Sequence, residues 1–206
     1  MPFSVRTVEH WNRKIHFYLG LYFLFFLWLF SLTGLLLNHG QWAVAAAAYA
    51  RVESRYDRAV EPPAGATDLD RARDVMRQLG LAGEIDIPPQ QPGSLQFNTS
   101  RPSDSNQVRV TLPDGRATVR HFDNGQLSRF HALHTFSGSR YNQPGSHRDW
   151  IVTTMWVFAM DALSAGLIVM VLGSYYMWWK LKQQHRLGLI ALTAGVVACG
   201  WFVSGL

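Results

Sequence analysis

The sequence contains a single cysteine, Cys199, among its 206 residues. One chain therefore cannot form a disulfide, a zinc site built on paired cysteines or a dithiol redox motif. The sequence also lacks a glycine-rich phosphate loop after a strand, a nucleophile elbow and an HExxH motif. These absences leave no sequence support for nucleotide binding, serine hydrolysis or zinc proteolysis.

Charge is missing from three long stretches of the chain. No acid, lysine or arginine occurs in Ile15–Leu37 or in Leu187–Leu206, and Asp161 is the one charged residue of Trp150–Trp179. Because an α-helix rises about 1.5 Å per residue, each stretch is long enough to cross a hydrocarbon layer of about 30 Å. The sequence predicts a membrane α-helical protein with three transmembrane helices, at 15–37, 150–179 and 187–206.

Basic residues flank these stretches on one side. They precede the first helix and fill the short turn between the second and third: Arg6, Arg13, Lys14, Lys180, Lys182 and Arg186. The positive-inside rule then places 1–14 and 180–186 in the cytosol and 38–149 outside, in the periplasm of a bacterium whose inner membrane holds the chain. The net charge of +5 is interpreted as membrane topology, so lipid and not nucleic acid is the expected partner.

A cleaved signal peptide is the alternative interpretation of the first stretch. Small residues that a signal peptidase accepts follow it, at Ala43–Ala50. The apolar core of a signal peptide is about 7 to 15 residues long, however, and Ile15–Leu37 is much longer. The length favours a retained transmembrane helix.

The polar middle of the chain predicts a small α+β domain. Ala43–Val60 favours a helix that continues from the first span until Glu61-Pro62-Pro63 breaks it. Thr67-Asp68 and Gly80 are typical start and stop signals for a short helix over Leu69–Leu79. One helix packed on a small antiparallel sheet is therefore expected.

Alternation of apolar and polar residues predicts the strands of that sheet. The segments are Ser94–Thr99, Gln107–Leu112 and Arg116–Phe122, and Pro113-Asp114-Gly115 is a hairpin turn between the last two. A helix over Gln126–Phe136 and a loop over Ser137–Ser146 then return the chain to the membrane.

Histidines stand out among the residues that could carry chemistry. His16 and His39 bracket the first span, and His131 and His134 lie three apart on a helix expected at the same outer boundary as His39. Imidazole is a common axial ligand of heme iron, and a b-type heme needs two such rings between apolar helices. We predict that His39 and His134 are the ligand pair. Pairings that involve His131 or His16 remain open, and so does the absence of any ligand pair.

Asp161 has two interpretations. If the second span begins near Trp150, the carboxyl group lies inside the membrane and indicates proton handling. If the span begins near Asp161 itself, the residue caps it at the outer surface, and we favour this second interpretation because Asp161–Trp179 alone is long enough to cross the membrane.

Three segments of the sequence resemble the PepSY-associated transmembrane helix family: RKIHFYLGLYFLFFLWLFSLTGLLLNH, LHTFSGSR and MDALSAGLIVMVLGSYYMWWK. The middle, Asp68–Phe122, is similar to that family's PepSY domain. The resemblance implies an inner-membrane ferric or ferric-siderophore reductase that binds heme b. The histidines that match are His16, His39 and His134. Larger relatives have four or more spans and hold two hemes, so three spans leave the number of hemes open and suggest a homodimer.

These expectations combine into one functional hypothesis. The protein would take electrons from a quinol or a cytosolic reductase and pass them outward to ferric iron or a ferric chelate. The two alternatives are a tethered PepSY-like module that binds and restrains a periplasmic protein without heme, and a heme-bearing accessory subunit of another complex.

Overall fold

The computed structural model describes residues 5–48, 51–102, 104–112, 114–136, 138, 143–180 and 185–205, with the backbone alone for 46–48, 126, 127, 131, 134 and 135. It forms two compact units, Met1–Phe25 with Asp161–Leu206 and Phe26–Met160. The predicted turn at Pro113 and much of the predicted loop Ser137–Ser146 lie outside the described residues.

Three of the described helices are long and apolar enough to cross a membrane. They are α1 (Val5–Asn38), α5 (Ile151–Lys180) and α6 (His185–Gly205). No residue of α6 is buried within the chain, and Phe25 on α1 is 77% exposed. Apolar surface on this scale is unfavourable in water but not in hydrocarbon, so the protein is a membrane protein.

Two details of these helices bear on the sequence analysis. Among the described residues α1 extends back to Val5, so the basic residues before the first apolar stretch are themselves helical. Asp161 does not cap a helix, because α5 begins at Ile151 and no proline or other break interrupts it before Asp161, and its position at the outer membrane surface remains a prediction. The Asp161 side chain is exposed on the helix surface.

The unit Phe26–Met160 contains a six-stranded antiparallel sheet in the order β1-β5-β4-β3-β2-β6. Its strands are β1 (Val52–Ala59), β2 (Glu84–Asp86), β3 (Ser94–Arg101), β4 (Asp104–Thr111), β5 (Arg116–Asp123) and β6 (Ser146–His147). The hairpin β3–β4 pairs Arg101 with Asp104, and the hairpin β4–β5 pairs Thr111 with Arg116. The expectation of an antiparallel sheet is confirmed, and β3, β4 and β5 overlap the three predicted strands, with β4 beginning three residues earlier than predicted.

One face of the sheet is covered by α3 (Asp68–Leu79). The shared core consists of side chains that alternate along the strands and recur with helical spacing on α3: Ala72, Val75, Met76, Ile85, Leu95, Phe97, Val108, Val110, Ala117 and Val119. Phe97 is 1% exposed and is the largest of the fully buried side chains. Burial of these apolar groups is the main stabilising term of the domain.

The prediction of a helix over Ala43–Val60 is wrong from Val52 onward. Among the described residues α2 covers Ala43–Ala48, and Val52–Ala59 is the edge strand β1. Cross-strand pairing decides the conformation: Glu53 accepts hydrogen bonds from Arg120 at 2.9 and 2.7 Å, and Asp57 accepts one from Thr118 at 2.7 Å. Such pairs stabilise a sheet, and they involve residues far away in the sequence that helix propensity does not take into account.

The caps of α3 are those that the sequence predicted. The Thr67 hydroxyl accepts a hydrogen bond from the Asp70 amide at 3.1 Å, and Gly80 ends the helix with a φ of 67°. Because glycine has no Cβ atom, it adopts this left-handed conformation without steric cost. Both ends of α3 are therefore set by local sequence.

Two carboxyl groups on α3 have lowered pKa values. The Thr67 hydroxyl donates to the Asp70 carboxylate at 2.7 Å and lowers its pKa below the usual 3.8. The backbone amide of Ala64 donates to Asp74 at 3.1 Å and lowers the pKa of that carboxyl group as well. Both contacts favour the ionised form, which is available only in the folded chain.

These two groups should make the sheet domain sensitive to acid. Because their folded-state pKa values lie below the unfolded ones, their stabilising effect is present above pH 3.8 and is lost as the pH falls through the folded pKa values. The double variant D70N/D74N should be less stable than the wild type at pH 6, and the difference should disappear in acid. Hydrogen exchange of α3 amides at several pH values would measure it, and a difference that stays constant with pH would contradict the prediction.

Candidate functional site

His39 follows directly after α1 and carries its ring in a defined orientation. The ring stacks on Trp42 with centroids 4.3 Å apart and an interplanar angle of 28°. Its Nδ1 atom lies 2.9 Å from the carbonyl oxygen of Leu35, one turn earlier in α1. Since a carbonyl can only accept, Nδ1 carries the proton, and the lone pair of Nε2 remains for another partner.

This hydrogen bond is the one that a metal-ligating histidine usually makes. Such histidines donate their second ring nitrogen to a carbonyl or carboxylate, which fixes the tautomer and raises the basicity of the ligating nitrogen. His39 is half-buried, and its Nε2 atom carries the lone pair that would bind a heme iron.

The predicted partner of His39 lies on α4 (Gln126–Thr135). The short helix α2, which begins four residues after His39, contacts α4 within the same unit. The structure thus places α2, which follows His39, in contact with α4, which carries His131 and His134. The side chains of His131 and His134 lie outside the described residues, so the predicted pairing remains a prediction.

His16 lies in the other unit, on the face of α1 that packs against the second half of α5. Neighbours on that face make the contacts: Asn12 donates to the Gly173 carbonyl at 3.0 Å, and the Phe23 ring lies against Gly166. The Nδ1 atom of His16 is buried and has no hydrogen-bond partner among the described residues. An unpaired buried imidazole nitrogen costs about 1–3 kcal/mol, which makes His16 a functional candidate.

His16 and His39 cannot hold the same heme. About 23 residues of helix separate them, which corresponds to about 34 Å along the axis of α1. Two axial ligands lie on opposite sides of a single iron atom, so this separation is far too large. If both histidines bind heme, they bind different hemes.

Three of the remaining described histidines have structural surroundings, and the fourth, His10, is exposed on α1. The Nδ1 atom of His121 donates a hydrogen bond to the side-chain oxygen of Asn106 at 2.9 Å on the sheet, and His147 of β6 pairs with Ile85 of β2. His185 begins α6, and its Nε2 atom lies 2.9 Å from the Trp179 carbonyl oxygen. Among the described residues, no three His, Cys, Asp or Glu side chains converge on a possible metal ion. A heme site requires only two.

Sequence reasoning missed a cavity of about 330 Å³ at the beginning of α5. It is lined by the hairpin β3–β4, by α4 and by the first turns of α5, and its walls include Phe136, Trp150 and Trp156. No sequence motif marks it, because its lining comes from three segments that are far apart in the chain. Interfacial tryptophans were the only available signal, and they are common in membrane proteins that have no ligand.

A polar network holds the chain in place before α5. The Glu84 side chain is 3% exposed and accepts a hydrogen bond from the Asp149 amide at 3.0 Å. The Asp149 carboxylate accepts hydrogen bonds from Arg73 of α3 at 2.8 and 2.6 Å, and the pKa of Arg73 is raised by this contact. The beginning of α5 is therefore tied to both β2 and α3, which positions the residues that line the cavity.

Comparison with known proteins identifies no relative: no family model matches the chain, and neither a curated protein nor a solved structure matches it significantly.

Proposed function

We propose that the protein is a heme b-containing ferric reductase of a bacterial inner membrane, with its sheet domain in the periplasm. The observation that carries the proposal is the His39 imidazole. Its Nδ1 atom is held by the Leu35 carbonyl, and the neighbouring α2 contacts the helix that carries His134. The resemblance of the sequence to PepSY-associated transmembrane proteins supports the same function.

In this proposal His39 and His134 hold one heme at the outer end of α1, and His131 is the alternative to His134. The heme, when bound, supplies one-electron chemistry at its iron, and the protein sets the potential through ligation and burial. Ferric iron or a ferric chelate is the acceptor on the outer side. The donor is a quinol or a cytosolic reductase.

The thickness of the membrane requires a second component. A heme near His39 leaves most of an insulating layer of about 30 Å uncrossed from the cytosolic side. His16, with its unpaired buried Nδ1 atom, is the residue that fits a second heme near the other end of α1. A homodimer would complete the membrane core, because α6 buries none of its residues within one chain.

Absorption spectroscopy tests the proposal directly. The full chain, expressed with added heme and purified in detergent, should show a sharp Soret band and α and β bands that intensify with dithionite. Addition of ferric citrate to the reduced protein should reverse this change. A colourless protein would contradict the proposal, and a heme protein that ferric chelates do not reoxidise would indicate an accessory subunit of another complex.

The edge strand β1 favours a second candidate function. It is eight residues long and mostly exposed, and within the described part of the chain it pairs on one side with β5 and has no strand on the other. A free strand edge is a common docking site for an extended peptide, as expected for a tethered module that binds and restrains a periplasmic protein. This function requires no heme, so the spectrum described above distinguishes the two candidates.

A further inference from the structure

The cavity at the beginning of α5, which we call the α5 cavity, contains polar atoms without partners. Thr153 is 1% exposed, and its hydroxyl oxygen has no hydrogen-bond partner among the described residues. The same holds for the indole Nε1 of Trp156. One carboxylate oxygen of Asp104, Oδ1, also lacks a hydrogen bond from the described residues, and Nδ1 of His121 lies 3.4 Å from it. All three residues line the α5 cavity.

Each of these atoms without a hydrogen bond lowers the stability of the folded protein, and a ligand that hydrogen-bonds to it would remove this loss. A buried polar atom without a partner destabilises the folded state by about 1–3 kcal/mol, and native proteins contain few of them. Three such atoms around one cavity point to a bound molecule that supplies the missing hydrogen bonds. Thr153 and Trp156 offer donors from α5, and Asp104 offers an acceptor from β4.

The charges around the cavity are of both signs. Arg101 donates to one carboxylate oxygen of Asp104 at 2.8 Å, so this cation is already paired, and Arg129 also lines the cavity. The carboxylate of Asp104 would repel a phosphate group placed beside it. A ligand that both accepts and donates hydrogen bonds fits the available groups.

The shape of the lining favours a flat aromatic ring. Trp150, Trp156 and Phe136 provide the aromatic surfaces on which such a ring packs. The volume of about 330 Å³ is at the lower end of the usual range for small-molecule sites, about 300–1,000 Å³. A single substituted ring is a suitable size.

The position of the α5 cavity indicates how the ligand would enter. The helix α5 has 30 residues and is about 45 Å long, which exceeds a hydrocarbon layer of about 30 Å. Its first two turns, which line the cavity, then lie at the level of the lipid headgroups. A molecule dissolved in the membrane reaches this level without crossing water.

We infer that the α5 cavity binds the ring of a membrane quinone or quinol. One ring oxygen would accept hydrogen bonds from Trp156 and Thr153, and the opposite hydroxyl of the quinol form would donate to Asp104. Binding requires no heme. A role of the bound quinol as electron donor would rest on the proposed function, whereas the binding site itself does not.

Equilibrium binding of ubiquinone-1 tests this inference. The probe would be titrated calorimetrically into the full chain in nanodiscs of zwitterionic lipid. W156F keeps an aromatic ring but removes the N–H group, and T153V keeps the shape but removes the hydroxyl. Because a neutral hydrogen bond contributes about 0.5–1.5 kcal/mol, each variant should bind about 2- to 13-fold more weakly.

Two matched variants control for indirect effects. W178F removes another buried, unpaired indole N–H group of α5, outside the α5 cavity, and T154V changes the exposed neighbour of Thr153. Both should bind ubiquinone-1 like the wild type. Equal weakening in all four variants would mean that the probe merely partitions into lipid, and it would overturn the inference.

Two further outcomes decide between ligands. If ubiquinone-1 does not bind to the wild type, the cavity is assigned to water and the inference is overturned. If binding is lost when phosphatidylglycerol replaces part of the zwitterionic lipid, the cavity is assigned to a lipid headgroup, and this also overturns the inference. Binding that persists in H39A would show that the site is independent of heme. A colourless protein that binds ubiquinone-1 would then overturn the proposed reductase function but leave the quinone site standing.

Discussion

Replacement of His39 by alanine is expected to abolish the low-spin heme spectrum of the purified protein. The variant removes the Nε2 atom that the Leu35 contact leaves available for iron, and one imidazole alone does not give a six-coordinate low-spin heme. His134→Ala should have the same effect if these two residues are the axial pair. Reduced-minus-oxidised spectra and heme content per chain measure the loss.

Other histidines provide the matched controls for this result. His121→Ala should leave the spectrum unchanged, because that ring hydrogen-bonds Asn106 on the sheet. His131→Ala identifies the alternative partner if His134→Ala has no effect. Wild-type spectra in both H39A and H134A would show that the assigned pair is wrong.

His16→Ala separates one heme from two. If His16 holds a second heme, the variant should lose part of its heme while the His39-dependent spectrum remains. If the heme content is unchanged, His16 contributes to the packing of α1 on α5 and binds no heme. The electrons must then reach the outer heme from a partner within the membrane. Heme content per chain, measured on the same preparations, distinguishes these outcomes.

Replacement of Phe97 by alanine is expected to destabilise the sheet domain by about 3–5 kcal/mol. The Phe97 side chain is 1% exposed at the centre of the core between the sheet and α3, so its removal leaves a cavity. Domains of this kind are stable by about 5–15 kcal/mol, and such a loss would leave a substantial unfolded population. Hydrogen exchange of amides in β3, β4 and β5 of the full chain would measure the change.

Gln107→Ala is the matched control for Phe97→Ala. Gln107 lies on a neighbouring strand, with its side chain exposed on the opposite face of the sheet. Its replacement should change the stability by no more than about 0.5 kcal/mol. Similar exchange rates in the two variants would indicate that the core is not centred on Phe97.

Local signals explain which parts of the fold were predictable. The apolar stretches predict α1, α5 and α6 because a long run without charge has few other stable environments. Thr67 and Gly80 predict the ends of α3, since their side chain and backbone act on neighbouring residues. The alternation in β3, β4 and β5 predicts strands because each lies between the core and solvent.

Long-range pairing explains the errors. The edge strand β1 was predicted as helix, and its conformation depends on Arg120 and Thr118, which are contributed by β5. The short strands β2 and β6 pair with each other through Ile85 and His147 and have no periodicity of their own. Both cases show tertiary contacts overriding weak local preference.

The sequence by itself determined that this chain enters a membrane, and it singled out His39 and His16, because charge depletion and residue type are properties of the chain before it folds. Only the tertiary structure decided the surroundings of His16 and the lining of the α5 cavity. It left Nδ1 of His16 without a partner among the described residues in a helix contact, and it gathered Asp104, Thr153 and Trp156 around one cavity. Hydrogen-bond satisfaction depends on which segments meet, and no single segment contains that information.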